Sequence, residues 1–535
     1  MRRIVALSAA LLVAMPALAE NPIGVSKTYR SNGAPIFSVL SPLYMIMSRN
    51  DRMYVKEENA RNGSLEVAGI YSSSYGDGSQ IRDWFLPVSG QSTLVAGEVY
   101  SAANTANPST VDVIANYFNV FTHGLSNGGS TGGLQYLTFQ SNLSFRPRQA
   151  MAGVAFKWQQ AFTVRERDLY FKVSVPVIHV SNTLGMTEDV ITAGGSTGSN
   201  PAVPTGAVAN MTQAFNQTLL KYGKINGKQT KWGVADVELI LGMDWKKDDH
   251  CQLSSFIGLV APTGNRPKAE YLYEAVVGNN HHWGVILGGS SRHMWKEADN
   301  YSITFLCDGD WRYLFQNTQT RMFDLLGKPW SRYMWLANTT ASSSGSFPVA
   351  ADSLFAQPAG NISLVPAVNF LTQDVKVKPY GSITLNTALN YRRDNGIELE
   401  GGLNFYARQA EKVRLKNDFT NPQTYGIPSM AADLNSSDYN DTASFATIDN
   451  TQWYNGDEAI TTSLPITVPL VEADIDFNSA AQLAVLESTI YGVVGKNWDG
   501  WRFPGFAGVG GSYTYSVDNS GTDRWAVFGK LGVSF

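Results

Sequence analysis

The chain alternates. In YSITFLCDGDWRYLF (301–315), Tyr301, Ile303, Phe305, Cys307, Gly309, Trp311 and Tyr313 fall on one face of a period-two pattern. Ser302, Thr304, Asp308, Asp310 and Arg312 fall on the other, with Leu306 the exception. Two is the period of a strand. The pattern returns in GIELEGGLNFYAR (396–408), where Ile397, Leu399, Leu403 and Phe405 oppose Glu398, Glu400, Asn404 and Arg408. It returns in WGVADVELILGMDWK (232–246), where Val237, Leu239, Leu241, Met243 and Trp245 oppose Asp236, Glu238 and Asp244. In DRWAVFGKLGVSF (523–535), Trp525, Val527, Leu531, Val533 and Phe535 oppose Arg524, Lys530 and Ser534. A strand with one apolar face and one ionic face separates two different media.

A soluble sandwich also alternates, so the surroundings of the strands decide. Aromatic residues such as Tyr301, Trp311 and Tyr313 cap both ends of an apolar face, as interfacial girdles do. The connections sort by length. Tight ionic turns (TVRERD at 163, KKDDH at 246, KEADN at 296, RRDNG at 392, NWDGW at 497) alternate with long segments near 180–231, 263–280, 316–379 and 413–485. Membrane barrels have short turns at one rim and long loops at the other. Charged residues make up 16% of the chain, below the usual ~25%, and aromatic residues 12%. After residue 19 no apolar run of about 18 residues occurs, so contact with lipid requires a closed barrel.

The expected fold is all-β: one transmembrane antiparallel barrel of about 14 strands, with 12–16 open, long extracellular loops and short periplasmic turns. The candidate strands begin near 64, 110, 136, 150, 168, 232, 249, 281, 300, 380, 396, 486, 503 and 523. Residues 1–19 (MRRIVALSAALLVAMPALA) have the charged start, apolar core and small-x-small end of a secretory signal peptide. Residues 20–63 do not alternate and read as a periplasmic or plug segment; residues 64–535 read as the barrel. Met211, Phe215, Leu219 and Tyr222, closed by Gly223, predict a short amphipathic helix on the barrel rim or in its mouth. NTTASSSGSF (338–347) reads as mobile loop.

The signal peptide, the strands and Phe535 together resemble the Gram-negative outer-membrane β-barrels. That resemblance implies an outer-membrane location, lipid and lipopolysaccharide as surroundings, and recognition by the barrel-assembly machinery through Phe535. GLVAPTGNRP (258–267) resembles the strand-end Pro-Thr-Gly of the fatty-acid and aromatic-compound transporters, which implies fourteen strands and an N-terminal hatch. Pro262-Thr263-Gly264 also reads as an ordinary strand-ending turn.

The lumen-lining candidates are Asp236, Glu238, Asp308, Asp310, Arg312, Glu398, Glu400, Arg408, Arg524 and Lys530, with Asp244, Lys157, Lys172, Arg292 and Arg392 beside them. They fit a water-filled pore with a transverse field or a structural salt-bridge network filling the barrel. His179 and Ser181 share a face, as in an outer-membrane phospholipase, but the next strand offers no outward Asn to orient the His. Adjacent His281 and His282 point to opposite faces and do not share a metal ion. Cys251 and Cys307 are separated by a whole strand, so both should be free thiols. No basic stripe for nucleic acid appears at a net charge of −4, and no cofactor or metal site is expected. The expected function is a porin or transporter passing small solutes or hydrophobic compounds, not an enzyme. A non-transporting surface, adhesin or coat protein is the alternative, and a lipid hydrolase the remote one.

Overall fold

A computed structural model of the 535-residue chain describes residues 63–85, 92–96, 140–192, 210–248, 250–326, 330–333, 335–338, 364–422, 424–428, 467–498, 502–516 and 521–535, with short fragments at 110–112, 123–124 and 135–136. The expected signal peptide, the expected 20–63 segment up to residue 62, and the 338–347 stretch beyond Asn338 lie outside the described residues.

The main strands are β1 (Gly63–Ser74), β2 (Arg148–Val164), β3 (Arg167–Thr183), β4 (Lys228–Val234), β5 (Val237–Lys247), β6 (Cys251–Ala261), β7 (Gly284–Ala298) and β8 (Tyr301–Leu314). After β9 (Asn317–Met322) and β10 (Thr372–Lys378) come β11 (Tyr380–Arg393), β12 (Ile397–Arg408), β13 (Lys412–Leu415), β14 (Val485–Trp498), β15 (Gly505–Ser516) and β16 (Arg524–Ser534). The largest sheet has thirteen strands, in the order β4-β3-β5-β6-β7-β8-β11-β12-β14-β15-β16-β1-β2, and β2 also pairs with β3. That last pairing closes the barrel. β4 pairs with β3 alone, so thirteen minus one leaves a wall of twelve antiparallel strands. Closure leaves the wall without an open edge, as a hydrocarbon environment requires.

The expected count of about 14 is corrected to twelve among the described residues. The candidates near 110 and 136 are not wall strands. Thr110–Asp112 and Gln135–Tyr136 belong to small separate sheets. Alternation is local and cannot say which sheet a strand joins.

Wall strands meet at one rim through tight turns. Between β2 and β3, Arg165 and Glu166 take φ of 49° and 67°, the left-handed pair of a two-residue hairpin whose twist suits the strands. At the same rim Gly63 and Phe535 exchange backbone N–H···O bonds of 2.9 Å, aligning β1 with β16. The other rim carries the long connections.

The facing pattern follows the sequence. On β16, Arg524, Lys530 and Ser534 are buried, whereas Val527 and Leu531 are more than half exposed. Aromatic rings gather near both rims: Tyr301 stacks on Tyr391 with centroids 5.5 Å apart at the turn rim, and Trp311, Tyr313 and Phe315 form a ladder at the loop rim. Cys251 and Cys307 are free, with β7 between their strands. Phe305 faces outward near mid-strand, so Phe305→Arg should cost about 2–4 kcal/mol in lipid. Phe305→Leu, which stays apolar, should stay within about 1.5 kcal/mol. Equal unfolding midpoints in urea for the two variants would show that this face does not meet lipid.

The long connections are not separate loops. They fold into a cap with one apolar core, built from Ile81, Phe85, Leu143, Phe215, Leu272, Trp330, Tyr333, Leu371, Val375 and Ile475 among others. Trp330 packs edge-on against Phe215 at 5.8 Å and donates its Nε1–H to Phe85 O at 2.8 Å. Three separate connections meet at that point. The expected amphipathic helix is cut to one turn, Met211–Ala214, with Asn210 capping the N–H of Gln213. Met211 and Phe215 enter the cap core, but Leu219 is 50% exposed.

Candidate functional site

The barrel interior is lined by side chains from the even or odd positions opposite the outward-facing row. On β8 these are Thr304, Leu306, Asp308, Asp310 and Arg312, all buried. Arg312 donates from Nε to Asp310 Oδ1 at 2.6 Å and forms a tight pair through Nη1 with Glu238 of β5. Asn386 of β11 donates to Asp308 Oδ1 at 3.4 Å. Across the barrel Arg524 pairs closely with Glu487 of β14.

A second tier lies nearer the turn rim. Glu66 of β1 holds Lys530 of β16 at 2.7 Å through Oε1 and Lys157 of β2 at 3.2 Å through Oε2. Glu398 accepts from Asn497 at 2.6 Å and approaches Arg392 at 3.8 Å. Glu400 accepts from Asn390 and from the Tyr491 hydroxyl, both at 3.2 Å. Lys172 stands among Glu238, Glu66, Lys530 and Asp308, linking the tiers electrostatically.

Of the sequence candidates, Glu238, Asp308, Asp310, Arg312, Glu398, Glu400, Arg524 and Lys530 enter this network. Asp236 sits elsewhere, at the break between β4 and β5, where its Oδ2 accepts the Asn279 N–H at 2.8 Å. Arg408 lies at the loop-end mouth and donates to Leu483 O at 3.2 Å. Asp244 accepts from Gln252 at 3.5 Å, toward the turn rim. Glu66 and Glu487 were missed, although SLEVAGIY and VLESTIYG carry them at polar positions of an alternating run.

The interior is not uniformly polar. Ile70, Met151, Ile178, Val180 and Phe528 face inward from β1, β2, β3 and β16, and they join Leu306 and Tyr406 in one buried apolar cluster. Val277, from the connection after β6, is in the same cluster, so that connection dips into the mouth. Aromatic side chains fill the remaining space by lying over glycines. A Cβ at Gly402 would come within 2.4 Å of the Tyr491 ring, and one at Gly242 within 2.1 Å of Tyr170. Cavities lie between the described lumen side chains. One of about 30 Å³ touches Asn280, His282, Arg312, Arg408 and Gln482 at the loop end. One of about 20 Å³ touches Asn390, Glu398, Glu400 and Lys530 at the turn end. Each has room for a water or two. Among the described residues, these inward charges are matched with one another, as a salt-bridge network would match them.

A polar chain joins wall to cap. His282 lies beside Phe315 O through Nδ1 at 2.7 Å and beside Gln319 Nε2 through Nε2 at 2.7 Å. Burial lowers the His282 pKa to about 4, so the ring is neutral. Nδ1 then donates to the carbonyl and Nε2 accepts from the amide. Gln319 Oε1 accepts from Arg321, whose Nη2 donates to Glu411 Oε2 at 3.3 Å. Glu411 also accepts the Gln482 N–H at 3.0 Å. In the connection after β6, burial pushes the Glu274 carboxyl up to about 7 even though Lys268 and Ala269 donate backbone N–H groups to it.

His281 Nδ1 rests on Gly264 O, away from His282's partners. His179 stacks on Trp232 with centroids 4.7 Å apart, and no hydrogen bond between His179 and Ser181 is present. Among the described residues no group of three or more His, Cys, Asp or Glu side chains is placed to hold a metal ion.

No family model matches the chain, and no curated protein does. Solved structures with a similar outline are barrels. An outer-membrane channel from Pseudomonas putida F1 is 10% identical, covering 90% of this chain and 100% of its own, at a TM-score of 0.34. A Pseudomonas aeruginosa FadL homologue is 9% identical, covering 88% and 90%, at 0.28. The transport unit of an Escherichia coli autotransporter is 7% identical, covering 92% and 96%, at 0.22. These scores mark a loose likeness of barrel to barrel, and the functional reading rests on this chain's own geometry.

Proposed function

We propose that the protein is an outer-membrane transporter for small hydrophobic or amphipathic solutes, seen here closed. The turn rim faces the periplasm, the cap faces the exterior, and Phe535 serves as the signal to the barrel-assembly machinery. The observation that carries the reading is the inward apolar stripe of Ile70, Met151, Ile178, Val180 and Phe528 beside the charged network. A barrel interior that served ions alone would be polar throughout, whereas a solute with an apolar body gains from such a stripe. Passage requires the charged side chains and the inward-dipping connection at Val277 to part.

The test is uptake of a radiolabelled small aromatic compound into vesicles whose outer leaflet is lipopolysaccharide, which resists apolar solutes. Inserted protein should raise the uptake rate, and Ile70→Asn/Ile178→Asn should lower it about tenfold at equal folded yield. The cap's continuous apolar core favours a second reading, a surface structural protein. Uptake no faster than in protein-free vesicles would favour that reading and sink the transporter.

A further inference from the structure

The outer face of the cap carries a basic surface that the lumen reading does not use. β9, β10 and β13 form a three-stranded sheet on the loop rim, in the order β9-β10-β13. One face is apolar: Val375, Val377 and Val413 are buried in the cap core. The other face carries Lys376 and Lys378 on β10 and Lys412 and Arg414 on β13. The register sets Lys376 opposite Arg414 and Lys378 opposite Lys412. Like charges directly opposite on paired strands oppose folding. Beyond β13, Lys416 is matched, with Asp374 at 3.5 Å. Among the described residues no carboxylate pairs with Lys376, Lys378, Lys412 or Arg414. Lys378 lies over the Tyr380 ring at 4.6 Å, and Arg414 donates to Gln316 at 3.4 Å.

The height of this surface matters. β9 begins two residues past Phe315, the top of the aromatic ladder Trp311-Tyr313-Phe315. Interfacial aromatics mark the level where acyl chains give way to headgroups. At about 3.3 Å per residue, Lys376 opposite Thr318 stands roughly 10 Å above that level. Four cations unmatched by acids, on a rigid sheet, at headgroup height, and facing away from the cap core are complementary to a phosphorylated lipid headgroup.

We propose that Lys376, Lys378, Lys412 and Arg414 bind the phosphate groups of a lipid A-type glycolipid in the outer leaflet. The proposal rests on the outer-membrane orientation above but not on transport. The phosphates neutralise the facing like charges, and guanidinium and ammonium groups both take them as charge-assisted partners. The occupant is a lipid and not free phosphate because the surface continues downward into the aromatic ladder, which a glycolipid's acyl chains cover.

The test uses full-length protein in detergent micelles, with bisphosphorylated lipid A, the same lipid without phosphates, and inorganic phosphate as probes. Bisphosphorylated lipid A should bind saturably and more weakly as salt rises. Removing its phosphates, or substituting Lys376→Gln/Lys378→Gln/Lys412→Gln/Arg414→Gln, should each weaken binding at least tenfold. Because the variant relieves like-charge contacts, it should fold as well as wild type, and its Tm should no longer rise on adding lipid A. The control Lys246→Gln/Lys247→Gln/Lys296→Gln at the turn rim should bind as wild type. Equal binding by the patch variant and wild type, or by the phosphate-free lipid, would overturn the site. Inorganic phosphate at millimolar concentration raising the Tm as far as lipid A does would overturn the lipid as its occupant.

Discussion

Arg312→Met should destabilise the barrel by about 3–5 kcal/mol, because it leaves Glu238 and Asp310 buried without their cation. Both acids are buried, and the substitution takes from each the guanidinium N–H it accepts. The triple variant Glu238→Gln/Asp310→Asn/Arg312→Gln should recover most of the loss, since the amides can hydrogen-bond to one another and no charge is stranded. Urea unfolding of the refolded proteins in lipid vesicles, followed by tryptophan fluorescence, measures all three. A single variant as stable as wild type would mean that water reaches this pair and that the lumen is open there.

Glu411→Ala should have an effect of similar size in a different place. Arg321 is fully buried, and Glu411 is the carboxylate it reaches; the same carboxylate accepts the Gln482 N–H. Its removal leaves a buried guanidinium with Gln319 and the Ala480 carbonyl as remaining acceptors. A penalty of about 3–5 kcal/mol is expected. Because the chain His282–Gln319–Arg321–Glu411 spans the junction, the penalty should fall on the cap while the twelve wall strands hold. Limited proteolysis should cut the connections 315–379 and 409–484 in the variant at protease levels that spare wild type, with amide exchange of the wall strands unchanged. Glu411→Gln, which keeps an acceptor for Gln482, should lie between. Uniform loosening of wall and cap would show that the chain does not act as a local tie.

The row of Trp525, Val527, Leu531 and Val533 against Arg524, Lys530 and Ser534 predicted which side chains point out of the barrel and which point in, and β16 has that arrangement. So does β8, with Phe305 and Trp311 outside and Asp308, Asp310 and Arg312 inside. The tight turns were legible too, because RERD and RRDNG are short ionic stretches between alternating runs. Cys251 and Cys307 could be placed two strands apart from order alone. These features depend on neighbours in the chain or on consecutive strands.

The rest depended on contacts between distant segments. Residues near 110 and 136 have strand-like sequences, but whether they pair into the wall depends on which partner edge is free. With β2 already hydrogen-bonded to both β1 and β3, the wall had no place for them. Met211, Phe215, Leu219 and Tyr222 suggested a longer helix; Trp330 and Tyr333, more than a hundred residues later, take up Phe215, and the helix ends after one turn. The sequence by itself determined a two-faced antiparallel wall, since a period of two is imposed by the strand backbone and needs no tertiary partner. Only the tertiary structure decided that twelve strands close it among the described residues, that the long connections share one core, and which inward charges pair. A single strand shows that Arg312 points inward, but its partner Glu238 lies on another strand, and closing the barrel is what brings the two together.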